Sequence, residues 1–141
     1  MDVELDISSL KRAYESYNGF LNEALLLKSK DYNSLYMEEI IRSGVIHQFE
    51  MVYELAWKSM ERYIEMDVGS VNTLTRKGLF RLAAEKELIT DFDKWVEFHE
   101  ARNKSTHVYD ENIAEKVYAI AVEFKPYLEN FINVLEERLK S

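Results

Sequence analysis

The chain contains no cysteine. Disulfides, thiolate nucleophiles and cysteine-based zinc sites are therefore excluded, and a reducing compartment is compatible with what remains. Helix breakers are nearly as scarce, with one proline and four glycines in 141 residues. That scarcity, with few alternating Val/Thr-rich runs, predicts an all-α protein. No run of about 18 apolar residues occurs, so no membrane span is expected. The acidic start, Met1-Asp2-Val3-Glu4-Leu5-Asp6, has no apolar run of its own and does not read as a signal peptide, which makes a cytoplasmic location the expectation. Positive charge is short as well: 18 Lys and Arg against 26 Asp and Glu leave a net charge of −8. A chain this acidic is a poor non-specific ligand for phosphate backbones, so DNA binding is not expected and any RNA contact must be local or helped by a partner. The same acidity favours a basic protein partner.

What is present is apolar content, 47% of residues with 13% aromatic, enough for one globular domain spanning 1–141. Leu10, Tyr14, Tyr17, Leu21, Ala24 and Leu25 recur at helical spacing and predict a first helix to about Leu27, capped by Ser8 or Ser9. Lys28 to Ser34 reads as a loop. A long second helix, from about Leu35 to Met66, carries two adjacent apolar stripes. One is Ile41, Val45, Phe49, Val52, Ala56, Met60 and Tyr63; the other is Ile46, Tyr53, Trp57 and Ile64. Two stripes predict burial on two sides, with Gly69 ending the helix in a left-handed conformation. A third helix is predicted over Thr73 to Lys86 with Leu74, Leu79, Leu82 and Ala83 inward. A fourth leads through Trp95, Phe98 and His99 to Arg102. A last helix follows a cap at Asp110 and is expected to kink or break at Pro126. The fold expected is an up-and-down bundle of four to five helices.

One segment concentrates chemistry: Arg102-Asn103-Lys104-Ser105-Thr106-His107-Val108-Tyr109. Arg holds phosphates bidentately and His moves protons near neutral pH, a minimal kit for phosphodiester cleavage without a metal. On a continuous helix Arg102 and His107 are about 500° apart in rotation and point about 140° away from each other. Ser105, Thr106 and Val108 are weak helix formers, so a helix end, a tight turn and a new start are predicted, with convergence inside the turn or across a two-fold axis. In that reading His107 is general base or acid, Arg102 stabilises the charged transition state, and Asn103 orients the His or donates to a phosphate oxygen. The bland alternative is a chance pair at a helix end, with Tyr109 a packed aromatic. Glu50 and Glu54 are a weaker metal candidate, Glu54–Lys58 reads as an ion pair, and His47, His99 and His107 lack metal-ligand spacing. No cofactor is expected. There is no Gly-rich phosphate loop, nor the Gly-Ser and paired aspartates of a nucleotidyltransferase.

Two blocks raise the motif above chance. Gly44-Val45-Ile46-His47-Gln48-Phe49-Glu50 leads to Tyr53-Glu54-Leu55-Ala56-Trp57-Lys58. Trp95 is followed by Arg102-Asn103, Ser105-Thr106-His107-Val108-Tyr109-Asp110-Glu111 and Ala114. Over essentially its whole length the chain resembles the nucleotidyltransferase substrate-binding protein family, a branch of the HEPN superfamily. The resemblance implies a homodimeric helical bundle whose gene neighbours a minimal nucleotidyltransferase, MNT. In toxin–antitoxin pairs of this kind the HEPN member is an RNase with an Arg-x4-His-x-Tyr motif. It implies catalytic roles for Arg102, Asn103 and His107. It also implies that the partner antitoxin uses ATP to AMPylate Tyr109 and silence cleavage. An older implication is a non-catalytic subunit that binds substrate for the nucleotidyltransferase. Departures are Glu87 where many relatives have Gly, no proline at Val71-Asn72, and His47 for a usual Gln.

Overall fold

Helix α1 (Ser8–Ser29) is started by Asp6, whose carboxylate accepts the Ser8 amide at 2.9 Å. The sequence points to Ser8 or Ser9 as the cap; Asp6 takes the role because its carboxylate reaches an amide that the first turn leaves without a partner. The computed structural model describes residues 5–29 and 35–140, so most of the loop expected up to Ser34 lies outside the described residues. The other elements are α2 (Leu35–Val68), α3 (Arg76–Glu85), α4 (Phe92–Lys104), a 3-10 turn (Ser105–His107) and α5 (Glu111–Lys140). Among the described residues there is no strand, so the all-α expectation holds.

The two stripes of α2 are buried on two sides, as their width requires. α1 lies along one side, and α5, α4 and α3 pack on the others. Gly44 permits a close approach of α1: a Cβ there would stand 2.2 Å from Phe20 Cζ. Phe124 of α5 is the centre of the core. Its ring meets Tyr17, Phe49, Tyr53, Trp95 and Phe98 edge-on, the nearest at 4.8 Å between centroids. Edge-to-face pairs add to area burial, so the aromatic positions set how α2, α4 and α5 register.

Two expectations are corrected. Leu74 is not inward but 42% exposed, because α3 begins two residues later at Arg76, with Thr75 as its cap accepting from Gly78 N. Of the kink or break expected at Pro126, the break does not occur: α5 is one helix of 30 residues. A proline removes one bond and crowds one carbonyl, whereas burial of Val117, Ala121, Phe124, Leu128, Phe131 and Leu135 along one side holds both halves in register. Buried Tyr17 also donates to the Ala121 carbonyl at 2.5 Å in the turn before the proline.

Two left-handed residues end helices. Gly69 has φ +84°, as its type favours, and its amide bonds back to the Glu65 carbonyl. Glu87 has φ 60°. The Glu87 amide donates to the Ala84 carbonyl and the Leu88 amide to the Ala83 carbonyl, the paired bonds of a Schellman ending, with Leu88 buried beneath. The position therefore suits glycine, and a side chain there carries a steric cost. Glu87→Gly is expected to raise stability by about 1 kcal/mol, seen as a higher denaturation midpoint at unchanged m-value. An equal or lower midpoint contradicts this account of the turn.

Candidate functional site

The motif lies where α4 gives way to α5. Asp91 caps α4, accepting from Lys94 N, and the helix stops at Lys104. Ser105 to His107 tighten into a 3-10 turn, the Asp110 amide closes onto the His107 carbonyl at 3.1 Å, and the Asp110 carboxylate caps α5 through Asn112 N and Ile113 N. The predicted helix end, turn and restart are all present.

Arg102 does not point at His107. It reaches back to α2, where Nη1 donates to Glu50 Oε2 at 3.0 Å and to Ser105 Oγ at 3.0 Å. Its Nε lies 3.3 Å from Glu54 Oε1, close enough for charge attraction but off the N–H axis, so that buried N–H has no hydrogen-bond acceptor. Ser105 is buried, and its hydroxyl lies 2.6 Å from both Glu50 Oε2 and the Arg102 carbonyl. Arg102 thus faces two carboxylates, which leaves one negative charge in excess around it. Glu54 also accepts from Trp57 Nε1 at 3.0 Å, and no ion pair joins it to Lys58 among the described residues. The expected Glu54–Lys58 pair is replaced because Arg102 and Trp57 occupy both carboxylate oxygens. The same residues set aside the metal candidate: among the described residues no cluster of His, Asp and Glu suits a metal.

His107 and Tyr109 form a second group. The Tyr109 hydroxyl lies 3.1 Å from His107 Nδ1, and Tyr109 is 84% exposed. The bland reading of Tyr109 as a packed aromatic is therefore wrong. Asn103 belongs to a third group, with its carboxamide nitrogen 3.4 Å from His99 Nε2 and the Tyr53 hydroxyl 2.9 Å from His99 Nδ1. Burial, then the nearby Arg76 charge, pushes His99 below its ordinary value of 6.5, while Glu54 and Glu100 pull the other way. Burial chiefly pushes the Tyr53 phenol well above its usual range. Arg76 lies over Trp57, its Cζ 3.3 Å from the ring centroid, and faces no carboxylate within ion-pair distance among the described residues.

The end of α4 and the turn after it therefore carry every motif residue, but the side chains fall into three groups, and no hydrogen bond joins Arg102 to His107. Ser105, Tyr53, His99 and Arg76 are site residues that the sequence does not single out for this role. Ser105 looks like a weak helix former, and Tyr53 and His99 look like core. Arg42 of α2 adds a second fastening, gripping Glu111 at 2.7 and 3.1 Å just past the turn.

A sequence profile described as "nucleotidyltransferase substrate binding protein like" matches residues 5–137. A Haemophilus influenzae protein named probable ribonuclease HepT is 34% identical over 92 residues, which is 63% of this chain and 63% of that protein. The solved structure of HI0074 from Haemophilus influenzae, described as the fold of a substrate binding domain of a nucleotidyltransferase, superposes with a TM-score of 0.84. It has 27% identity and covers 93% of this chain and 99% of its own. A Thermus thermophilus structure, 22% identical with a TM-score of 0.64 over 89% of this chain and 99% of its own, shares the fold.

His99 binds a proton less readily folded than unfolded. The unfolded chain gains the proton first as pH falls, so His99's contribution is complete above pH 6.5 and declines below it. The thermal midpoint is expected to drop as the pH falls below about 6.5, before most carboxylates titrate. His99→Gln should flatten that drop; an unchanged slope assigns the pH dependence to other groups. Ser105→Ala should cost about 1–3 kcal/mol in chemical denaturation, because it leaves Glu50 and Arg102 short of a shared partner; a loss below a few tenths would show the hydroxyl to be incidental.

Proposed function

This chain belongs to the nucleotidyltransferase substrate binding protein family, and from that we propose that it is a HEPN-type toxin, a metal-independent endoribonuclease whose partner is an MNT-type nucleotidyltransferase antitoxin. The observation that carries the reading is the pair at the turn, where the exposed Tyr109 hydroxyl lies 3.1 Å from His107 Nδ1, with Arg102 anchored separately at the end of α4. In the reaction, His107 takes the proton of a ribose 2′-hydroxyl as its oxygen attacks the adjacent phosphorus. The bond to the 5′-oxygen breaks, leaving a 2′,3′-cyclic phosphate and a 5′-hydroxyl. Arg102 meets the charge that grows on the phosphoryl oxygens. Asn103 adds a polar contact, and the departing oxygen needs a proton from a second acid.

That acid is supplied by the partner subunit's His107 if the protein is a homodimer, and α2 offers a surface for one. Tyr36, Ile40 and Met51 are exposed on the helix that carries Glu50 and Glu54. The two carboxylates beside Arg102 also fit this scheme. They hold the guanidinium in place and leave the turn weakly attractive to RNA until a second subunit completes it.

Tyr109 is the switch. The antitoxin transfers AMP from ATP: the phenol oxygen bonds to the α-phosphorus, pyrophosphate leaves, and the phenol proton is lost. Esterification removes the hydroxyl proton from the contact with His107 Nδ1, whichever group donates in it, and the added phosphate competes for Arg102. A second reading, a non-catalytic subunit that presents substrate to the nucleotidyltransferase, is favoured by one observation: Arg102 already faces two carboxylates.

The two readings part on cleavage. Purified chain should cut RNA without added metal, and Arg102→Ala and His107→Ala should each lower the rate at least about a hundredfold with circular dichroism unchanged. Full cleavage by His107→Ala, or none by the unmodified chain, sinks the nuclease reading. Co-expression with the neighbouring nucleotidyltransferase gene should add AMP to the intact mass and stop cleavage, and Tyr109→Phe should take no adduct.

A further inference from the structure

What Asn103 can offer a ligand depends on which end of its carboxamide faces outward. The two ends have the same shape, so hydrogen bonding decides between them. The chain of contacts runs from Tyr53 through His99 to Asn103, at 2.9 Å and 3.4 Å. Tyr53 is fully buried. A buried hydroxyl must place its proton on an acceptor, and the acceptor within hydrogen-bond distance is His99 Nδ1; the Arg76 and Arg102 guanidinium groups are near, and Glu54, engaged by Trp57 and Arg102, acts on the phenol through its charge. Arg76 has donors only, so the Tyr53 hydroxyl donates to His99 Nδ1. Burial and Arg76 disfavour a second ring proton on His99, against the opposing pull of Glu54 and Glu100. The one proton of the neutral ring is then on Nε2, the nitrogen that faces Asn103. An N–H cannot bond to an amide NH2, so the acceptor that satisfies it is the carboxamide oxygen, brought there by a half-turn about Cβ–Cγ.

We propose that Tyr53 and His99 are positioning residues that lock the Asn103 carboxamide with its oxygen turned in to His99 Nε2–H and its NH2 turned out at the motif turn, as a donor to an RNA phosphate oxygen. The identity of that acceptor rests on the nuclease reading; the lock itself does not. Arg76, stacked over Trp57, is the nearby cation that polarises the series through its charge. Each donor points the same way, from phenol to imidazole to amide, which delivers a positive end where a phosphate oxygen must be met.

The test is nitrogen-15 NMR of the imidazoles in the full chain at pH 7.5, with the three histidines assigned by His→Gln substitution. The lock requires a proton on His99 Nε2 and none on Nδ1, and an Nδ1 resonance that moves downfield in Tyr53→Phe as the donated proton is lost. A proton on Nδ1, or an Nδ1 signal indifferent to Tyr53→Phe, overturns it. In cleavage assays, His99→Leu should lower kcat/KM about tenfold. His99→Gln, whose amide accepts from Tyr53 and donates to Asn103, should recover most of that loss. Equal cleavage by His99→Leu and the unsubstituted chain overturns the positioning role. Absence of cleavage by the unsubstituted chain defeats the nuclease reading instead, and the tautomer measurement still decides the lock.

Discussion

Where α4 ends, a guanidinium, a carboxylate and a hydroxyl meet. Arg102 and Ser105 both bond to Glu50, across 52 and 55 residues of sequence. These are charge-assisted bonds in a half-buried place, each worth about 1.5–3 kcal/mol, and Ser105 takes part in them as a buried residue. Once Ser105 is held against α2, the chain cannot continue α4 outward, and it tightens into the 3-10 turn and restarts at Asp110. Arg42 grips Glu111 roughly two helical turns earlier on α2. α2 therefore clamps the segment on both sides of the turn, and His107 and Tyr109 are left projecting between the clamps.

This arrangement gives the motif residues different work. Arg102 is a charge fixed in direction by two carboxylates. His107 and Tyr109 are free of the core and touch each other, so a change at the phenol oxygen is felt at the imidazole with no change of fold. Asn103 lies against His99, one helical turn back along α4, and His99 in turn meets Tyr53.

Much of the fold is legible in spacing. The width of the apolar face on α2 requires neighbours on two sides, and it has them. Gly69 and Asp110 act as their types dictate, because a positive φ and an N-cap are local demands. The misreadings share a cause. Leu74 looks inward if α3 starts at Thr73, but Thr75 caps α3 and moves its start. Pro126 looks like a break if only backbone bonds are counted, yet the apolar side of α5 is continuous across it. Glu50 and Glu54 show one-face spacing, and that spacing is correct; what the sequence cannot show is that an arginine from another helix occupies both. Ser105 gives no signal at all, since a serine at a helix end is ordinary until its hydroxyl is found buried against a carboxylate.

Sequence alone determined the helical class, the helix order and the turn at the motif, because these depend on periodicity, caps and residue chemistry within a few positions. Tertiary structure decided which groups meet. Arg102 turned to Glu50 and Glu54, Asn103 to His99, and His107 to Tyr109. Such pairings depend on the packing of α2 against α4 and on the rule that buried donors and charges must find partners, which acts between residues far apart in sequence.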